Sequence, residues 1–220
     1  MGLGLRCVYA AAAFALLAAP AAAHPHVWIE MSTDVVFDEQ GMVSAINIEW
    51  TFDDGYAQMA LDGLDTDGDG VYSATELEAL TRENMDSLKD YDYFIHAFID
   101  GKPTRIQVAK DAGQIYSNQR LTLYFSVPLE KPIDPKKNDF YYRIYDPEFF
   151  IAMDYVKDEP VTAQGPIPDG CKLDLLPVVT DAQTEQTKQM LATKGRDWQP
   201  PPDEDFGSMF AQPLHVDCKG

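Results

Sequence analysis

Basic side chains are scarce in this sequence: 17 Lys and Arg stand against 36 Asp and Glu, a net charge of −19 over 220 residues. A nucleic-acid partner needs a basic footprint on its phosphates, so the deficit excludes that class of function. The acidic balance attracts cations in general, although for most of these side chains it means no more than solubility. Long apolar runs are missing beyond residue 23, where nothing approaches the ~18 consecutive apolar residues of a membrane-crossing helix. There is no Ser-His-Asp or Cys-His nucleophile set, no phosphate-cradling glycine loop and no convincing pair of carboxylates, so the chain does not read as an enzyme. No internal repeat is present, and cysteine is limited to three residues.

What is present at the start is a leader. Arg6 supplies charge, VYAAAAFALLAAP an apolar stretch, and Ala21-Ala22-Ala23 a small-residue cleavage site. Residues 1–23 are therefore expected to act as a signal peptide, with a soluble, exported chain beginning at His24. Cys7 departs with the leader. That leaves Cys171 and Cys218, each in a strand-like run (CKLDLLP and PLHVDC), for which one disulfide is the simplest arrangement in an oxidising compartment. Two free thiols or a soft-metal site are the alternatives.

Residues 24–220 read as one β-rich α+β domain, an antiparallel sheet or sandwich carrying an inserted helix-loop-helix at about 53–90 and a helix near the C-terminus. VWIEMSTDVVF and MVSAINIEWTF alternate around the turn signal DEQG, which predicts a hairpin. Phe52, Tyr56, Met59, Ala60 and Leu64 then fall near helical spacing, and Leu77, Leu80 and Leu88 mark a second helix. YFIHAFID, GKPTRIQVAK, RLTLYFSVPLE, DFYYRIYDPEF and FIAMDYVK follow as strand candidates. TDAQTEQTKQMLATKGR carries helix start and stop signals, and DWQPPPDED is a proline-stiffened connection.

Residues 65–76, DTDGDGVYSATE, have the spacing of an EF-hand calcium loop. Calcium takes six to eight oxygens, so Asp65, Asp67 and Asp69 supply carboxylates at alternating positions and Gly70 permits the sharp turn. Val71 offers its backbone carbonyl, Ser73 stands where a water commonly bridges, and Glu76 closes the shell. An oxygen cage of this size suits calcium better than magnesium. Tyr72 departs from the small aliphatic residue usual at a position that faces a paired loop. No second such loop exists, which favours a structural staple over a switch.

A mature chain starting His24-Pro25-His26 would place a free amine and two imidazoles within three residues. These are donors for zinc, nickel, cobalt or copper. Pro25 excludes the square-planar amino-terminal motif, because it has no amide hydrogen to lose. The remaining arrangement has the free amine and imidazole of His24 chelating a transition metal, with His26 on the same strand face and a distant ligand completing the set, for which Glu30, Glu49, Asp53, Asp54 and His96 are candidates; two exposed histidines without a metal are the alternative. His96 and His215, alone in apolar strands, read as structural.

HPHVWIE after the leader, EWTFDD, DTDGDGVYSATEL, LKDYDYF, YRIYDPEFF and the C-terminal cysteine together resemble the bacterial domain-of-unknown-function family one thousand and seven. That family is often labelled the periplasmic component of an uncharacterised ABC-type transport system. The resemblance implies a periplasmic location and transition-metal handling alongside nickel or cobalt exporters and zinc-responsive genes, with His24 and His26 as the metal-handling residues. The expected function is thus an exported calcium-binding accessory protein in nickel, cobalt or zinc transport or homeostasis. One alternative is a calcium-stabilised module that docks on a membrane metal transporter; a second is a copper histidine-brace oxidoreductase.

Overall fold

The computed structural model describes residues 25–195, 198–201 and 204–218. The expected leader and His24 lie outside the described residues, as does part of the proline-stiffened run. In chain order, β1 (Val27–Phe37) and β2 (Val43–Phe52) precede α1 (Asp54–Leu61) and α2 (Ala74–Lys89). Then come β3 (Ile95–Ile99), β4 (Lys102–Pro103), β5 (Lys110–Ser117), β6 (Arg120–Ile133) and β7 (Phe140–Ile144). β8 (Ile151–Tyr155), β9 (Val161–Gln164), β10 (Lys172–Leu175), α3 (Ala182–Leu191) and β11 (Leu214–Asp217) complete the order. The larger sheet runs β5-β6-β2-β1-β8 with β9 also on β1, and the smaller runs β10-β11-β7-β3-β4. This is a mixed α+β fold with two sheets rich in antiparallel pairs.

The expected hairpin forms because Asp38 closes its turn, its carboxylate accepting the N–H groups of Gln40 and Met42 at 2.9 Å each. Strict alternation on β2 then sends Ile46, Ile48, Trp50 and Phe52 into the core while Asn47, Glu49 and Thr51 face away. β1 and β6 lie on either side of β2 with the same alternation, so one face of the larger sheet is continuously apolar. The smaller sheet answers with Ala97 from β3, Phe140, Tyr142 and Ile144 from β7, and Leu214 and Val216 from β11. Trp50 sits between the layers with its ring edge-on to Phe125 at 5.1 Å.

Two features depart from the sequence reading. β8 and β9 pair with β1 in parallel, because eleven-residue β1 is long enough to hold two short strands end to end, Val27–Met31 against β8 and Thr33–Val36 against β9. β5 was also not foreseen. The run GKPTRIQVAK forms the two-residue β4, an irregular passage with an isolated bridge from Ile106 to Leu129, and only the first residue of the strand, which reads KDAGQIYS. Its Gly113 lets the ring and hydroxyl of Tyr124, its partner on β6, lie over the backbone where a Cβ would stand.

The C-terminal segment behaves as read. β10 and β11 pair with Lys172 opposite Asp217, which brings the flanking residues Cys171 and Cys218 together in a disulfide. α3 begins at Asp181, whose carboxylate accepts the Thr184 N–H at 2.8 Å and is held below its usual range chiefly by that bond. Among the described residues, no helix is long and apolar enough to cross a membrane.

One buried polar contact ties the two sheets together: the Thr33 hydroxyl on β1 meets the Tyr142 hydroxyl on β7 at 2.8 Å. Burial pushes the Tyr142 phenol well above its ordinary value, so it stays protonated and available to bond. Tyr142→Phe should lower unfolding stability by about 1–3 kcal/mol, because it removes a hydroxyl partner from Thr33 inside the core. A urea unfolding midpoint equal to wild type would show that the contact contributes nothing.

Candidate metal centre

The acidic loop hangs between two helices whose ends are fixed independently. α1 is capped by Asp53, with Oδ1 accepting the N–H groups of Gly55 at 2.8 Å and Tyr56 at 3.1 Å. Its other oxygen accepts the Trp28 N–H at 2.8 Å, so the helix start is tied to β1. Ala57 and Leu61 bury one face of α1, and Tyr56 stacks on Phe52 at 4.4 Å. α2 begins at Ser73 with a reciprocal cap: the Glu76 N–H donates to Ser73 Oγ, and the Ser73 N–H and hydroxyl donate to Glu76 Oε2. Leu77 on the following turn is buried.

Between these helices the chain folds inward on its own carboxylates. Asp65 accepts the N–H groups of Gly68 at 2.9 Å and Gly70 at 3.0 Å, and Asp67 accepts that of Asp69 at 3.2 Å. Gly70 has φ +80°, a left-handed turn that a side chain would strain. As a result, oxygens of Asp65, Asp67 and Glu76 lie within 4.8 Å of one another, the one such group of three or more acidic, histidine or cysteine side chains among the described residues. Asp69 is not in that group, its Oδ1 accepting the Val71 N–H at 2.7 Å. The Val71 side chain points to solvent, and the Ser73 hydroxyl is committed to the cap.

The donor set fits a hard divalent cation. It consists of carboxylate oxygens with no nitrogen or sulfur, held on a short arc. Thr66 was not recognised from sequence, yet its N–H and hydroxyl both donate to Glu76 Oε1, at 2.8 and 2.9 Å. The spacing S-x-x-E at Ser73–Glu76 is the signal that could have found the cap, whereas nothing in the sequence points to Thr66. The Ser73 backbone N–H, followed by the Ser73 hydroxyl and the Thr66 donors, holds the Glu76 carboxyl down at about 2.

His26 stands one residue before β1, its N–H donating to the Phe150 carbonyl at 2.8 Å and its ring 4.5 Å from that of Phe150. The residues considered as completing ligands sit in other roles or places. Glu30 pairs with Arg120 at 2.7 Å, Asp53 caps α1, and Glu49 and Asp54 are exposed. His96 stacks on Tyr145 at 3.9 Å with Nε2 3.3 Å from that residue's carbonyl, and burial pushes its pKa down. His215 lies flat against Tyr141 at 4.9 Å.

The aromatic run YYRIYDPEFFIAMDY supplies two strands and the turn between them. Asp146 in that turn is buried and accepts the N–H groups of Glu148, Phe150 and Ile151 at 2.9–3.0 Å. Beside it a cleft of about 310 Å³ opens between Trp28, Phe149, Met153 and Phe210, so part of this run lines a surface hollow as well as the core.

Because the folded Glu76 pKa lies below its ordinary 4.5, the bonds at the start of α2 are fully present above that value and are lost as pH falls toward about 2. In metal-free protein the Glu76 side-chain carbon resonance should titrate near 2. Titration at an ordinary carboxylate value would show that the Thr66 and Ser73 donors do not hold it in solution.

The sequence profile of the family described as "Protein of unknown function (DUF1007)" matches residues 9–218. An uncharacterised protein of Haemophilus influenzae is 24% identical over 200 residues, covering 90% of this chain and 92% of that protein. A Spirochaeta aurantia protein, described as an uncharacterised 15.5 kDa protein in the trpE 3' region, is 31% identical over 108 residues, 49% of this chain and 75% of its own length. No solved structure matches. With nearly its whole length matched, the chain belongs to the DUF1007 family of proteins of unknown function.

Proposed function

We propose that this protein binds one calcium ion in a single EF-hand formed by α1, the loop Asp65–Glu76 and α2. The observation that carries the reading is the convergence of Asp65, Asp67 and Glu76 oxygens within 4.8 Å, in a loop turned by Gly70 between two separately anchored helices. Asp65, Asp67, Asp69, Glu76 and the Val71 carbonyl would hold the ion, with Ser73 at the position where water bridges. A bound calcium supplies two positive charges among four carboxylates that otherwise repel one another. The ion acts as a staple, since a lone hand has no second hand to open against.

The wider reading places the protein in the periplasm, exported by the leader, as an accessory in nickel, cobalt or zinc handling. Its support is the donor chemistry of His24-Pro25-His26 at the expected mature start and the acidic balance of the chain. The transition metal is cargo in this reading, received or passed on by the histidines, and a membrane metal transporter is the partner that role requires.

Equilibrium dialysis should find about one calcium per chain, with a dissociation constant on the order of 10⁻⁴ to 10⁻³ M, as in extracellular hands. At a hundredfold excess over that constant, the ion should raise stability by roughly 2.7 kcal/mol and the melting temperature with it. Asp65→Ala and Glu76→Gln should each abolish the uptake. Unaltered calcium uptake in both variants would reject the loop as the site.

For the histidines, the processed protein, with nothing ahead of His24, should bind zinc, nickel or cobalt in calorimetric titration. His24→Ala and His26→Ala should each weaken that binding at least tenfold while leaving calcium uptake intact. Equal affinity in all three proteins would remove the histidines from any metal-handling role.

A further inference from the structure

The eighth residue of the loop is Tyr72, where a paired hand would face the neighbouring loop. Its ring does not lie free in solvent. It meets Tyr116 of β5 edge to face, with centroids 5.1 Å apart and planes at 79°. Among the described residues, β5 is the outermost strand of the larger sheet, bonded to β6 on one side and to no other strand of that sheet on the other. α2 packs on the same strand: Leu77 is buried, and the Thr81 hydroxyl donates to Gln114 Oε1 at 3.3 Å. Gln114 and Tyr116 are alternate residues, so both project from the inner face of β5 toward the helix and the loop.

We propose that Tyr116 takes the place of a second EF-hand, so that calcium uptake and the fixing of edge strand β5 are one coupled event. This rests on the calcium reading above. Tyr72 lies between Val71, whose carbonyl is a ligand position, and Ser73, which begins the helix bearing Glu76. Any rearrangement that draws the carboxylates together therefore moves the backbone that carries the Tyr72 ring. Tyr116 is held from the other direction, on a strand paired with β6 from Ser117–Arg120 through Gly113–Tyr124.

A cleft of about 290 Å³ lined by Tyr72, Tyr116, Gln119, Leu61 and Gly63 runs beside the ring pair. The pair thus bridges a gap at the margin of the core, against which both rings are partly buried. Coupling of this kind is reciprocal: whatever factor the ring contact adds to calcium affinity, calcium adds to the contact and to the order of β5. The strand so controlled is an exposed edge, the part of a sheet most open to pairing with another chain.

The test combines calcium titration with hydrogen exchange of the 110–117 amides, using the full chain with and without calcium. Tyr72→Ala and Tyr116→Ala should each weaken calcium binding by about three- to tenfold, a range set by the size of an edge-to-face contact. The double variant should be no weaker than the poorer single one, since both remove the same contact. Calcium should slow exchange across β5 in the wild type and in Tyr116→Phe, which keeps the ring, and should no longer do so in the alanine variants. Tyr72→Ala removes the contact without touching the sheet, so the test stands even if Tyr116→Ala unfolds. Normal calcium uptake with β5 exchange indifferent to the ion, or additive effects in the double variant, would overturn the coupling and leave the calcium site standing. Failure of the wild type to take up calcium would overturn both.

Discussion

The apolar contact between the two sheets at β2 is the constraint from which the rest of the molecule follows. With β1 on one side and β6 on the other, β2 has no free edge, and its row of Ile46, Ile48, Trp50 and Phe52 shares one core cluster with the buried residues of the smaller sheet. A slip of one residue would turn that row to solvent and bring Asn47, Glu49 and Thr51 into the core, so the register is strongly determined. Phe52 ends the row and Asp53 begins the cap of α1, so the point where the strand leaves the core is also where the acidic segment starts. The position of the loop is therefore a consequence of sheet packing and not of the loop's own preferences.

The loop itself is an electrostatic compromise. Asp65, Asp67 and Glu76 bring like charges within 4.8 Å in a chain already carrying a net charge of −19. Backbone N–H groups from Gly68, Gly70 and Asp69, with the donors of Ser73 and Thr66, offset the repulsion by hydrogen bonding to the charged carboxylates. These bonds are short in sequence range and give the loop its shape before any ion is considered. The same carboxylates keep oxygens within 4.8 Å of one another, a grouping that could hold a hard cation.

Legibility from sequence followed how local the causes were. The β1–β2 hairpin, α1, α2 and α3 announced themselves because alternation, helical spacing and caps are written into neighbouring residues. The acidic cluster of Asp65, Asp67 and Glu76 was readable for the same reason, since one twelve-residue arc contains it. β5 was hidden because Lys110, Asp111 and Gly113 are poor strand formers, and the segment is extended only through its pairing with β6 and the cover of α2. The parallel placement of β8 and β9 on β1 was equally hidden, being set by the length of a strand more than a hundred residues earlier. Thr66 looked like filler between two acids, because its bond to Glu76 spans ten residues of turn geometry. His24 could be weighed only by its chemistry.

Asp53 shows how a single carboxylate can join regions that the sequence presents as separate. One oxygen holds the first N–H groups of α1, and the other holds the N–H of Trp28, two residues past His26. The Asp53 N–H returns a bond to the Trp28 carbonyl at 2.9 Å, so the link is made twice. The beginning of β1, which follows the histidine start, and the helix that leads into the acidic loop therefore share one joint. A charge-assisted cap of this kind fails locally when its carboxylate is removed, releasing the helix start and the strand start together. The His26 imidazole just before β1 and the carboxylates beyond α1 thus flank one hydrogen-bonded joint at the start of β1.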